Sequence, residues 1–247
     1  MTTFLRYLGG ITLMAVQALG EGVRPPYRAG LVVVQIHRMG VSSLLLTEVA
    51  GFFAGMVVAL QGAHELSRFG AGLYIGPTVA RSIVREAAPV MTALLVGGRV
   101  GAGITAELGA MKVTEQVDAL RATGVSIVRL LVVPRLVAGL LVFPLLVIVA
   151  NVVGILGGLV IAVVQLHIDS RLFWNTILDL TTFRDYLSGV GKSVAFGFLV
   201  ALAGCYQGLT FTGGSTELGH ATTQTVVAIG SAVLVADFLL TQLFFIV

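Results

Sequence analysis

The chain has 247 residues, of which 57% are hydrophobic, and only 15 Lys or Arg and 12 Asp or Glu, 11% of the chain, less than half the charged share of an average soluble domain. With a mean hydropathy of +1.00, the polar surface cannot clothe a soluble globule of this size, which excludes a disordered chain and an ordinary cytosolic enzyme. A bilayer-spanning helix needs about 20 mostly apolar residues, so the length holds about five or six spans with short connections and no large soluble domain. The net charge of +3 is weak and scattered, no basis for binding nucleic acid. The single cysteine, Cys205, excludes an internal disulfide and sits in an apolar run, where it reads as a packing residue.

In chain order, Phe4, Leu8, Ile11 and Ala15 form one stripe of a helix over residues 4–19 that is too short to cross and suits the membrane interface. No small-residue cleavage site follows Met1 to Arg6, so this segment is expected to stay in the mature protein. Pro25 and Pro26 break the chain, and Arg24, Arg28, His37 and Arg38 flank the apolar patch Ala29 to Ile36, which reads as an interfacial elbow. Residues 1–40 thus precede the first clear span, Leu44 to Leu60. A second span runs from about Ala87 to Thr105, a third begins at Leu130, a fourth covers Gly189 to Phe211 and a fifth Thr225 to Val247. Residues 130–166 are long for one upright helix and short for two. Basic residues before the first span (Arg6, Arg24, Arg28, Arg38) and after the second (Lys112, Arg121, Arg129, Arg135) share one cytoplasmic side only if the third span is a single helix. One long tilted helix and a non-cytoplasmic C-terminus are therefore expected.

Two nucleotide motifs are discarded. Gly101-Ala102-Gly103-Ile104-Thr105-Ala106 has no strand before it, and Gly191-Lys192-Ser193 lacks the earlier phosphate-loop glycine, Tyr186 standing in its place. Glycines four residues apart recur at 51/55, 72/76, 97/101, 154/158 and 204/208, but 31 glycines give such pairs by chance; only Gly51/Gly55, centred in a span, is read as a close helix contact.

Charges in or beside the spans need a reason, since each costs about 3 kcal/mol at a helix centre. Glu48, Arg85, Glu86, Arg99, Lys192 and Asp237 are the candidates. Snorkelling or internal pairing is the plain explanation, and contact with a headgroup, ion or moving partner the functional one. Arg85 and Glu86 diverge by about 100° on a helix, so at least one should face a cavity or a protein neighbour. Residues 107–120 form an amphipathic pattern: Glu107, Met111, Glu115 and Asp118 share one face, Gly109, Val113, Val117 and Leu120 the other, and Thr123-Gly124 is a stop. A short surface helix with an acidic face suits docking to another protein.

The run from Gly98 through Arg99-Val100-Gly101-Ala102-Gly103-Ile104-Thr105-Ala106-Glu107-Leu108-Gly109-Ala110-Met111-Lys112-Val113-Thr114-Glu115-Gln116-Val117-Asp118-Ala119 to Leu120 closely resembles the signature of the MlaE (YrbE) permease family. Members are the membrane subunits of ABC transporters that work with MCE proteins. The likeness extends to Gly55-Met56-Val57, Leu60-Gln61-Gly62, Arg85-Glu86 with Pro89, Asp169-Ser170, Phe173-Trp174, Lys192-Ser193, Ala221-Thr222-Thr223 and Asp237-Phe238.

This resemblance implies an all-α integral membrane protein of the bacterial inner membrane, one permease domain over residues 1–247. It would have an interfacial N-terminal helix, five transmembrane helices within 44–247 and a short cytoplasmic coupling helix at about 107–120. It implies a homodimer bound to two cytoplasmic ATPase subunits (MlaF-like) and a hexameric MCE lipid-binding protein (MlaD-like), with a small STAS-type subunit (MlaB-like) as a further candidate. The substrate would be phospholipid moved between inner and outer membranes. ATP and Mg would sit on the partner, with no cofactor, catalytic residue or metal site on this chain. Val58, Leu66 and Phe69 would face lipid tails, Arg85 and Glu86 the headgroup, and Glu107, Met111, Lys112, Glu115 and Asp118 would couple to the ATPase. The chain departs from the pattern at Ala87-Ala88, where Leu-Gly is expected, at His220 and Gln224, where arginines are expected, and in a short N-terminal region. Import of sterols or other hydrophobic molecules is the alternative within the family. Outside it stand a gradient-driven transporter using Glu48, Arg99 or Asp237, and an intramembrane hydrolase, for which His37, His64, His167 and His220 lack an accompanying nucleophile motif.

Overall fold

The computed structural model describes residues 2–22, 29–68 and 70–246, and these form helices and short connections without a strand. Helix α1 spans Thr2–Gly22, α2 Ala29–Met39, α3 Leu44–Arg68, α4 Ile75–Ser82, α5 Ala88–Val113, α6 Gln116–Ala122, α7 Val133–Val164, α8 Ser170–Leu180, α9 Phe183–Thr210 and α10 Ser215–Ile246. Among the described residues, five runs are long and apolar enough to cross a bilayer: Ala29–Leu66, Gly72–Val113, Val128–Val164, Phe183–Thr210 and Ser215–Phe244. The expected all-α membrane architecture is therefore present. The expected Pro25-Pro26 break, with Arg24 and Arg28, lies outside the described residues, as does Phe69.

The first run differs from expectation. The elbow and the first span join into one rod, offset by a single 3-10 turn at Val41–Ser43. Ser43 Oγ donates to the Met39 carbonyl at 2.6 Å and Thr47 Oγ1 to the Leu44 carbonyl at 2.7 Å, so side chains satisfy backbone acceptors where the helix changes pitch. Residues 128–164 are one helical run, as the charge distribution predicts, opened by a π-turn at Val128–Val132 and carrying Pro144 inside α7. At about 48 Å, α7 exceeds the bilayer core and must tilt.

Glycine sets how closely the helices approach. A methyl group at Gly55 would overlap the Gly154 carbonyl, and one at Gly157 the Phe52 carbonyl, so α3 and α7 meet backbone to backbone. Gly51/Gly55 is thus the close contact expected. Pairs attributed to chance also pack: Gly204 and Gly208 of α9 face the Gly101 and Thr105 carbonyls of α5, and Gly154 and Gly158 of α7 face Ile83 and Val79. Position on a buried face, which spacing alone does not encode, separates these from Gly72, beside which there is open space.

Helix α8 is an element that periodicity of long apolar runs passes over. Asp169 Oδ1 caps it, accepting from Arg171 N at 2.7 Å and Leu172 N at 3.3 Å, and Phe173 and Ile177 bury one face. Helix α1 lies against α9, with Tyr7 edge-on to Tyr206 at 5.1 Å, while Leu5, Leu13, Val16 and Leu19 face outward. That outward apolar stripe fits a helix lying in the interface. Burial in this contact pushes the Tyr7 phenol above its ordinary pKa, with Tyr206 adding to the shift.

Candidate functional site

The principal polar centre begins at a proline. Pro89 has no N–H and its ring crowds the carbonyl four residues back, so the helix before it cannot run as an ordinary α-helix. The chain answers with a π-turn at Ile83–Ala87, which carries Arg85 and Glu86. The Arg85 carbonyl, which Pro89 cannot serve, accepts from Lys192 Nζ at 3.1 Å. Gly189, one turn before Lys192, lets α9 approach the Val84 carbonyl closely enough for this reach.

Lys192 is 1% exposed. Its ammonium also donates to Glu86 Oε2 at 2.6 Å and Thr241 Oγ1 at 2.7 Å. These partners use its N–H groups, and Asp237 Oδ1, 2.9 Å away, is an ion partner by distance without an aligned hydrogen bond. Beside it, Asp185 lies 3.4 Å from Arg85 and 3.7 Å from Arg81, and Arg81 also donates to the Leu180 carbonyl. Among the described residues, three cations (Arg81, Arg85, Lys192) and three carboxylates (Glu86, Asp185, Asp237) thus join α4, the π-turn, α9 and α10 in one cluster. Glu86 remains 43% exposed at its side chain and is the cluster's open edge.

Of the charges singled out in the sequence, four meet here: Arg85, Glu86, Lys192 and Asp237. Asp185, Arg81 and Thr241 complete the cluster but escaped sequence reading. Asp185 had a signal, since it occupies the third helical position after Thr182 in a capping box, with its Oδ2 accepting from Thr182 N at 2.9 Å. Val58 and Leu66 are half-buried on α3 and pack on the cluster of Ala59, Ala63, Ile75, Val79 and Ile83, beside the π-turn.

At the other end of α5, the 107–120 segment is not one helix. Thr114 ends α5, Glu115 turns into the left-handed region (φ 60°), and α6 restarts at Gln116. The acidic face divides accordingly. Glu107 stays in α5 and pairs inward, 2.8 Å from Arg38 of α2 and 2.9 Å from buried Arg135 of α7. Met111 packs on the core, and Lys112 donates to the Leu209 and Phe211 carbonyls at 3.0 and 2.6 Å, capping the end of α9. Glu115 and Asp118 remain exposed at the hairpin. On the expected apolar face Val117 is buried and Leu120 packs on the core, but Val113 is exposed because the chain turns immediately after it.

Residues 32–243 match the family described as Permease MlaE. The chain is 38% identical to the intermembrane phospholipid transport system permease protein MlaE of Haemophilus influenzae over 98% of this chain and 93% of that protein. It is 36% identical to a probable ABC transporter permease protein of Rickettsia felis over 98% and 93%, and 38% identical to one of Synechocystis sp. over 85% and 80%. With five membrane-competent helical runs and this match over most of its length, the chain is a multi-pass membrane protein that belongs to the MlaE family of ABC transporter permeases.

Proposed function

We propose that this permease moves phospholipids between the inner and outer membranes of a bacterium, driven by ATP hydrolysis on a separate subunit. The observation that carries the reading is the charge cluster around Lys192, buried among spans yet open at Glu86. A sterol offers one hydroxyl to such a site, whereas a phospholipid headgroup brings a phosphate for Arg85 and, in zwitterionic lipids, a cation for Glu86. Val58 and Leu66 supply apolar wall for the tails. The name of the Haemophilus relative, which specifies phospholipid transport, supports the same substrate.

Helix α5 supplies the mechanical link. Its 26 residues make a rod of about 39 Å with the hairpin at one end and the π-turn at the other. A partner ATPase gripping Glu115 and Asp118 would push on this rod, and the displacement would arrive at Arg85 and Glu86. The assembly is read as two copies of this chain, two ATPase subunits, an MCE lipid-binding protein and a small STAS-type subunit, with ATP and Mg held by the ATPase. Helix α10 leaves Val227, Val235, Phe238 and Leu239 exposed, apolar surface available to a second copy or to lipid.

Purification from native membranes with mass spectrometry of co-purifying chains and lipids tests the assignment. Phospholipid together with an ATPase subunit is the expected result. A preparation carrying sterol, or no ATPase under conditions that keep the permease folded, would contradict it.

A further inference from the structure

The hairpin-side half of α5 carries a second polar opening, separate from the Lys192 cluster. Between α2 and α5 lies a cleft of about 370 Å³, with Arg38, Arg99 and Gln35 on its walls and Val100 and Ile104 as apolar surface. Beside Gly103 there is open space, so the cleft continues to the helix surface. Charge here is unbalanced among the described residues: Arg38 and Arg135 share the carboxylate of Glu107, and Arg99 lines the same cleft without an ion pair to it. Arg99 donates one N–H to Ser43 Oγ at 2.6 Å, which fixes the guanidinium without neutralising it. The Gln35 side-chain amide, on the same wall, has no hydrogen-bond partner among the described residues. Arg38 and Arg99 are exposed, so both guanidiniums are open to an anionic ligand at the mouth of the cleft.

Position identifies the ligand's chemistry. Glu86 and Glu107 are 21 residues apart along nearly one helix, or about 31 Å, close to the thickness of the bilayer hydrocarbon core. Glu86 and Glu107 therefore stand near opposite faces of the core, so the two polar openings serve opposite leaflets. We infer that the α2/α5 cleft binds the phosphodiester headgroup of an anionic phospholipid in the hairpin-side leaflet, with Arg99, Arg38 and the Gln35 amide as donors. The volume admits a phosphoglycerol headgroup but not two whole acyl chains, which would run out over exposed apolar surface such as Val33 and Val34 of α2. The occupant is tied to the lipid-permease reading, yet the cleft is a separate site whose failure is read separately.

The intact complex, in nanodiscs of phosphatidylcholine doped with phosphatidylglycerol carrying a photoactivatable headgroup, provides the test. Cross-linked peptides are mapped by mass spectrometry. Wild type should cross-link within 35–39 and 99–107 as well as near 83–87. Arg99→Gln, losing one charge-assisted bond, should reduce the 99–107 cross-links about tenfold. Gly103→Leu, which fills the open space without changing charge, should do the same with an unchanged thermal midpoint. Both should keep the 83–87 cross-links. Undiminished 99–107 cross-linking in both variants overturns the cleft. Displacement of those cross-links by millimolar inorganic phosphate alone would overturn the lipid as its occupant. Loss of the 83–87 cross-links only in Arg85→Ala/Glu86→Ala separates the fate of the first site from that of the second.

Discussion

Lys192 shows how one residue holds an intramembrane site together. Its ammonium closes the gap in the backbone left by Pro89 and lies between two carboxylates. Lys192→Met would leave Glu86 and Asp237 facing each other, and should destabilise the protein by about 3 kcal/mol, the low end for a broken buried pair because water still reaches Glu86. Adding Glu86→Gln and Asp237→Asn should recover part of the loss in thermal unfolding. Unchanged unfolding in the single variant would mean that the ammonium is dispensable. Glu115 offers a second residue-scale check: its left-handed backbone favours glycine, so Glu115→Gly should increase hydrogen-exchange protection of α6 by about 1 kcal/mol. Decreased protection would show that the carboxylate stabilises the hairpin more than the backbone strains it.

Among the elements, the long apolar spans were legible because their length and charge distribution are written directly in composition. Charges that needed burial were legible for the same reason: Arg85, Glu86, Lys192 and Asp237 stand out in apolar runs. What the sequence hid depends on contacts between distant segments. Arg81 and Asp185 lie at helix ends where charges are ordinary, and their pairing joins side chains about a hundred residues apart in the chain. The division of 107–120 turned on one backbone conformation at Glu115, which helical periodicity cannot register. Close packing of α3 on α7 makes a direct prediction. Gly55→Ala should sharply lower folded yield and thermal stability, because its methyl meets the Gly154 backbone, whereas Gly219→Ala, with open space beside it, should be tolerated. Equal behaviour of the two variants would contradict backbone-level contact between these spans.

For the whole molecule, in the proposed mechanism one rod, α5, would carry motion from a hairpin gripped by the ATPase to the charge cluster that meets lipid. Glu115→Lys/Asp118→Lys reverses the exposed charge without touching the inward pairs of Glu107 and Lys112. It should weaken ATPase binding or uncouple hydrolysis from lipid movement while the fold persists. The most direct measurement is transfer of a fluorescent phospholipid by the reconstituted complex, with and without ATP, in wild type and in Arg85→Ala/Glu86→Ala. Transfer should require ATP and drop at least tenfold in the double variant while the complex remains assembled. Transfer of equal rate without ATP, or undiminished in the double variant, would contradict this mechanism.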